Sequence, residues 1–137
     1  MAEDLASSRN GGEVYTASCH DFRHPPSAMI EGDDSNFWST TGGYPQEFVI
    51  QLSSKAEVTR VQTKTTNVKN MVVERCQASG PNQWEKVIDV VVDQGDGRLQ
   101  VETNSLASKE ANFLKFKILS GYGDVATVHK VQVDGRA

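Results

Sequence analysis

Long apolar runs are missing from this chain. None of its 137 residues falls in an uninterrupted apolar stretch of about 18, the length a membrane-spanning helix needs. Dense basic runs are missing as well. The 14 Lys and Arg are outnumbered by 18 Asp and Glu, the formal charge is -4 and the pI about 5.3. Nucleic-acid binding rests on clustered cations that neutralise phosphates, and the scattered Lys and Arg exclude it. Cysteine is scarce: Cys19 and Cys76 are the two, too few for a disulfide framework. The opening segment MAEDLASSRNGG lacks the basic start and apolar stretch of a secretory leader. Together these absences lead to the expectation of a reducing compartment and of thiols buried as small residues.

Catalytic signatures are also wanting. There is no H-E-x-x-H, no C-x-x-C and no serine in a G-x-S-x-G elbow, so no nucleophile or zinc site is signalled. Gly121, Gly123 and Ala126 match the dinucleotide fingerprint G-x-G-x-x-A. That chemistry requires a helix to follow, its N-terminus meeting pyrophosphate. Here the strand-like run Thr127 to Val133 follows, so the motif is read as a hairpin loop. His20 and His24 stand four apart, but Pro25 and Pro26 follow directly. Prolines disfavour the helix that would give that spacing a meaning.

What the sequence does contain is short strands. Hydrophobic residues make up 37% and charged residues 23%, a folded composition sized for one domain. Residues 1–12 read as a flexible tail ending on Gly11-Gly12, and 13–135 as the domain. Strands are expected over Val14–Ser18, Phe48–Leu52, Val58–Thr65, Met71–Gln77, Trp84–Val92, Phe113–Leu119 and Val128–Val133, from period-two alternation and β-branched content. Turn signals separate them, Ser53-Ser54-Lys55 and Gly95-Asp96-Gly97 among others. The pattern predicts an all-β antiparallel sandwich of about eight strands, with a jelly-roll return. Its core is expected to hold Trp38, Phe48, Ile50, Leu114, Phe116 and Ile118. The densest segment runs His24 to Trp38. Glu31, Asp33 and Asn36 place side-chain oxygens within six positions around Gly32, the donor type a hard cation such as calcium takes.

At this segment the chain resembles the discoidin, or coagulation-factor C-type, domains. Their hallmark is an Asp-Gly pair followed by a Thr and then a Trp, here Ile30-Glu31-Gly32-Asp33-Asp34-Ser35-Asn36-Phe37-Trp38. The strings His24-Pro25-Pro26, Phe37-Trp38-Ser39-Thr40-Thr41-Gly42 and Pro45-Gln46-Glu47-Phe48-Val49-Ile50, with Ala126-Thr127-Val128-His129-Lys130-Val131, are similar to a narrower family. Its members are small subunits of the intraflagellar transport B complex. The resemblance covers about residues 13 to 135.

It implies a galactose-binding-domain-like jelly roll and a non-catalytic protein of the cytoplasm and of the cilium or flagellum. It also implies a heterodimer with a Rab-like small GTPase, intraflagellar transport protein 27, among other B subunits. It implies a calcium ion on the 28–36 loop, held by Ala28 through its carbonyl, Glu31, Asp33, Asn36 and the carbonyl of His129. Glu31 replaces the family's Asp and Asn36 its Thr. Lys130 stands where a final Glu is common, and an ammonium repels calcium. The competing expectation is a calcium-dependent glycan- or lipid-binding module. The partner-binding face is not set by the sequence; Tyr44, Arg60, Arg75 and Trp84 are outward candidates.

Overall fold

The computed structural model describes residues 3–19, 23–31, 35–41, 43–78, 80 and 83–136. Its strands are β1 (Glu3–Asp4), β2 (Glu13–Ala17), β3 (Trp38–Ser39), β4 (Gln46–Thr66), β5 (Val68–Cys76), β6 (Glu85–Val91), β7 (Gln100–Gly121) and β8 (Thr127–Arg136). Two short 3-10 turns, Ser8–Asn10 and Pro26–Ile30, complete the elements. All strand pairs are antiparallel.

The long strands β4 and β7 pair from Gln46 opposite Ile118 to Thr65 opposite Gln100. The ladder is interrupted between Gln51 and Ala56 and again between Val58 and Arg60. Such irregularities bend a sheet sharply, and these divide it into two layers. In one layer the first part of β4 pairs with β2, and the second part of β7 pairs with β5, which carries β6. In the other, the second part of β4 lies between the first part of β7 and β8, whose far side carries β1 and β3.

The core between the layers holds Trp38, Phe48, Ile50, Leu114, Phe116 and Ile118, none more than 1% exposed. Period two explains it: alternate side chains of a strand point to one face. Phe48 and Phe116 stack with centroids 4.9 Å apart, and Trp38 meets Phe48 edge-on at 5.3 Å. A smaller apolar cluster, Val49, Cys76 and Phe113, forms from the opposite phase of the same strands, on the outer side of the β2–β6 layer. Both cysteines are buried and unbridged.

The structure corrects the strand map in four places. Ser53-Ser54-Lys55 is not a turn: β4 runs unbroken for 21 residues, and its exposed serines mark the passage between layers. β7 begins at Gln100, well before Phe113, through a polar stretch without apolar alternation. The stretch expected to fray is docked. Glu3 and Asp4 pair with Gly135 and Asp134, while Leu5 and Ala6 are buried in the main core. β5 begins at Val68 and not at Met71, with Asn67 alone between it and β4, at φ of 60°.

Candidate functional site

The 3-10 turn Pro26–Ile30 and β3 pack against β8. Pro25 starts the 3-10 turn, with Ala28 donating its backbone N–H to the Pro25 carbonyl at 3.0 Å. Ala28, Met29 and Ile30 then drop into the core. Trp38 anchors β3: its indole N–H donates to the Cys19 carbonyl at 3.0 Å. Around Cys19, the Gln46 amide nitrogen donates to the carbonyls of Thr41 (2.7 Å) and Gly43 (2.6 Å). The Thr41 N–H reaches the Cys19 sulfur at 3.2 Å. This network absorbs Cys19 and leaves it a structural thiol.

Phe37 is held between two imidazoles. Its ring stacks on His24 at 4.2 Å and lies 4.8 Å from His129. His129 sits at a bulge, where the β4–β8 ladder steps from Lys130 to Val128 and passes over it. No local spacing joins these three rings, because they arrive from three separate loops and strands. His20, the other half of the four-residue histidine spacing, lies outside the described residues.

Beside this stack is a cleft of about 480 Å³, lined among others by Asp4, Ser7, Arg9, Glu31 and Lys130. Of the residues expected to hold calcium, Asp33 lies outside the described residues. Ala28 is buried, Glu31 and Asn36 are exposed, and His129 is half-buried. Their donors are all oxygens, which suits a hard cation. Lys130 lines the same cleft as Glu31 and places positive charge there. Among the described residues, no three His, Cys, Asp or Glu side chains come together as a metal cluster. Asp4 is the acidic group of this cleft that the sequence reading missed. Its Oδ1 accepts from the N–H groups of Ala6 (3.1 Å) and Val133 (3.0 Å). Burial nonetheless pushes its carboxyl above the usual range, against the pull of those hydrogen bonds and of Lys130.

The outward candidates for a partner surface are largely engaged. Arg75 pairs with Glu85 at 2.8 Å and donates to the Glu110 carbonyl. Tyr44 donates its hydroxyl to the Gly123 carbonyl at 2.8 Å. Trp84 lies beneath the Lys115 ammonium, 4.4 Å from its ring centre. Arg60 is half-exposed, with its guanidinium Nε 2.7 Å from the buried Asp134 carboxylate. Gly121, of the glycine motif, ends β7 and leads through a turn into β8. A Cβ there would meet the Tyr44 hydroxyl and the Asn67 carbonyl, so close packing accounts for it.

The fold is a two-layer sandwich with a loop-built end, and no catalytic set is assembled among the described residues. Residues 13–131 match the F5/8 type C domain family. Among solved structures, a family 32 carbohydrate-binding module from C. perfringens, in complex with galactose, superposes with a TM-score of 0.82. It is 15% identical and covers 98% of this chain and 99% of its own. A chitosan-binding module from Paenibacillus sp. gives 0.80 at 17% identity, over 97% of this chain and 99% of its own. At such identities the likeness establishes the fold, a jelly roll.

Curated relatives are much more similar in sequence. Intraflagellar transport protein 25 of Chlamydomonas reinhardtii is 44% identical over 133 residues, 97% of this chain and 70% of that protein. The Homo sapiens homolog of that protein is 33% identical over 96% of this chain and 92% of its own. The chain is therefore an F5/8 type C domain belonging to the intraflagellar transport protein 25 family. The relatives are named for transport, not for an enzymatic activity.

Proposed function

We propose that this chain is a non-catalytic subunit of the intraflagellar transport B complex, supporting cargo movement in cilia or flagella as the heterodimeric partner of a Rab-like small GTPase. The observation that carries the reading is the 44% identity across 97% of the chain to a relative named for intraflagellar transport. Nucleotide chemistry would belong to the GTPase, intraflagellar transport protein 27. This chain would stabilise it and contribute to a composite docking surface for other B subunits. The outer side of the β2–β6 layer suits such a partner. Its apolar cluster of Val49, Cys76 and Phe113 is edged by Tyr15, half-exposed and set edge-on to Phe113 at 5.3 Å. Leu119 adds a second exposed apolar side chain. The neighbouring charges are already paired, Lys117 with Glu74 and Lys115 with Glu47, so none of them would enter the contact without a counter-ion. Tyrosine and phenylalanine over a dry centre are the anchors that dominate stable interfaces.

Co-expression with the GTPase is the test. A one-to-one complex on size exclusion that survives high salt supports an apolar contact; two monomer peaks at micromolar concentration defeat the reading. In that event the calcium-dependent glycan- or lipid-binding alternative takes first place. Calcium itself is proposed as a structural ion on the 28–36 loop, bound weakly because Lys130 opposes it. Ligand held only by the native state raises the melting temperature. Millimolar calcium is expected to raise it, and Glu31→Ala with Asp33→Ala to abolish the rise. An unmoved wild-type melting curve refutes calcium binding.

A further inference from the structure

The two outer margins of the β8-containing layer are finished differently. On one, β8 is covered by β1 at Asp134 and Gly135 and by β3 at Thr127 and Val128. On the other, β7 from Gln100 to Ser105 pairs with β4. Along its second side, no strand among the described residues pairs with it; β5 joins β7 only from Phe113 onward. A strand with one side unpaired presents a row of main-chain N–H and C=O groups, and what complements such a row is another extended chain.

This margin is also pre-set. The buried Gln100 side chain donates to the carbonyls of Val68 (2.8 Å) and Asp93 (2.9 Å). It accepts from the Thr65 hydroxyl and the Val68 N–H. Residues 101–107 contain neither proline nor lysine, two of the devices that blunt free edges; the ladder with β4 skips 106–108, so a bulge marks one end of this edge while 101–105 run regularly. The remaining margins are blunted: β2 has five residues and a bulge, and β6 carries Lys86 and Asp89 as an ion pair.

Beside the open edge runs a cleft of about 420 Å³, between Glu85, Lys86 and Val87 of β6 and Ser105, Leu106 and Ala107 of β7. Val87 and Leu106 both pack on the main core and supply an apolar floor at that end. Four residues back along the same phase of β7 is Glu102. Burial and the nearby Asp93 carboxylate hold its carboxyl above the ordinary range, which leaves it short of a cation. Glu85, Lys86 and Lys109 rim the apolar floor at one end of the edge, and Glu102 makes the other end anionic.

We propose that the open edge of β7, residues 101–107, docks an extended segment of a partner chain, added antiparallel as a further strand, with an apolar residue over Val87 and Leu106 and a basic residue beside Glu102. The site lies on a different margin from the surface assigned to the GTPase, and the inference does not rest on that reading.

The probe is the labelled heptapeptide Thr-Val-Thr-Val-Thr-Lys-Thr, titrated by fluorescence anisotropy against the folded chain. It is expected to bind at least about tenfold more tightly than its twin with Glu in place of Lys, because a charge-assisted contact is lost and a repulsion gained. Glu102→Lys, checked for an unchanged melting profile, is expected to reverse that preference. Main-chain pairing predicts a second asymmetry: N-methylation of one alternate set of probe amides abolishes binding, and of the other set spares it. No binding by the unmethylated probe, or equal effects of the two methylated sets, overturns the proposal. So does a chain that forms dimers in sedimentation which Glu102→Lys disperses, since the occupant would then be a second copy.

Discussion

Two margins of one layer make the most instructive contrast in this molecule. The β8 margin is closed by segments too short to be independent strands: Glu3–Asp4 and Trp38–Ser39. They hold because each is tied to the core. Leu5 and Ala6 follow β1 into it, and Trp38 is itself fully buried. Among the described residues the β7 margin has no such cover, and its exposed side chains include Val101, 56% exposed. An edge is thus sealed here by burial next to it, more than by hydrogen bonding along it.

The largest expected effect calibrates that statement. Phe116→Ala removes a fully buried ring shared by both layers and is expected to cost about 3 to 5 kcal/mol in chemical denaturation. Next, Leu5→Ala should cost about 2 to 3 kcal/mol if the closed margin is held by burial. The matching change on the open margin, Val101→Thr, is expected to stay within about 0.5 kcal/mol. Equal costs for Leu5 and Val101 would erase the contrast.

The smallest effect concerns Asp4, the charge buried under the closed margin. Its folded pKa is raised, so its contribution to stability is present at low pH and lost as pH rises through the folded value. Asp4→Asn keeps an oxygen to accept from Ala6 and Val133 while removing the charge. It should raise the melting temperature slightly at pH 7, with the gain shrinking as pH falls through the raised folded value and gone below the ordinary carboxylate range. A lower melting temperature at neutral pH would mean that the hydrogen bonds to the carboxylate outweigh its burial.

The same contrast explains what could be read from sequence. Leu114, Phe116 and Ile118 alternate because one side of that strand faces the core and the other is polar, and the pattern located both strand and core. Residues Glu102 to Ser105 belong to the same strand but were not recognisable. An edge stretch has less apolar surface to bury, so alternation fades there. Leu5 and Ala6 form too short a run to display any period. Ser53 to Lys55 looked like a turn because a strand crossing between layers is exposed on both sides. The loop at 28–36 reads as a cluster of oxygens; Asp33 lies outside the described residues, and calcium there stays a proposal. The rings of His24, Phe37 and His129 meet only through the fold, and no local spacing records that.

Hydrogen exchange of the free chain compares the two margins most directly. Amides of 127–128 and 133–135, covered by β3 and by β1 with the Asp4 carboxylate, should exchange slowly. Within 101–107, residues facing β4 should be slow and the alternating ones fast, because only unpaired N–H groups are open to water without unfolding. Uniform slow exchange over 101–107 would contradict the account, since it would mean that this edge is already covered.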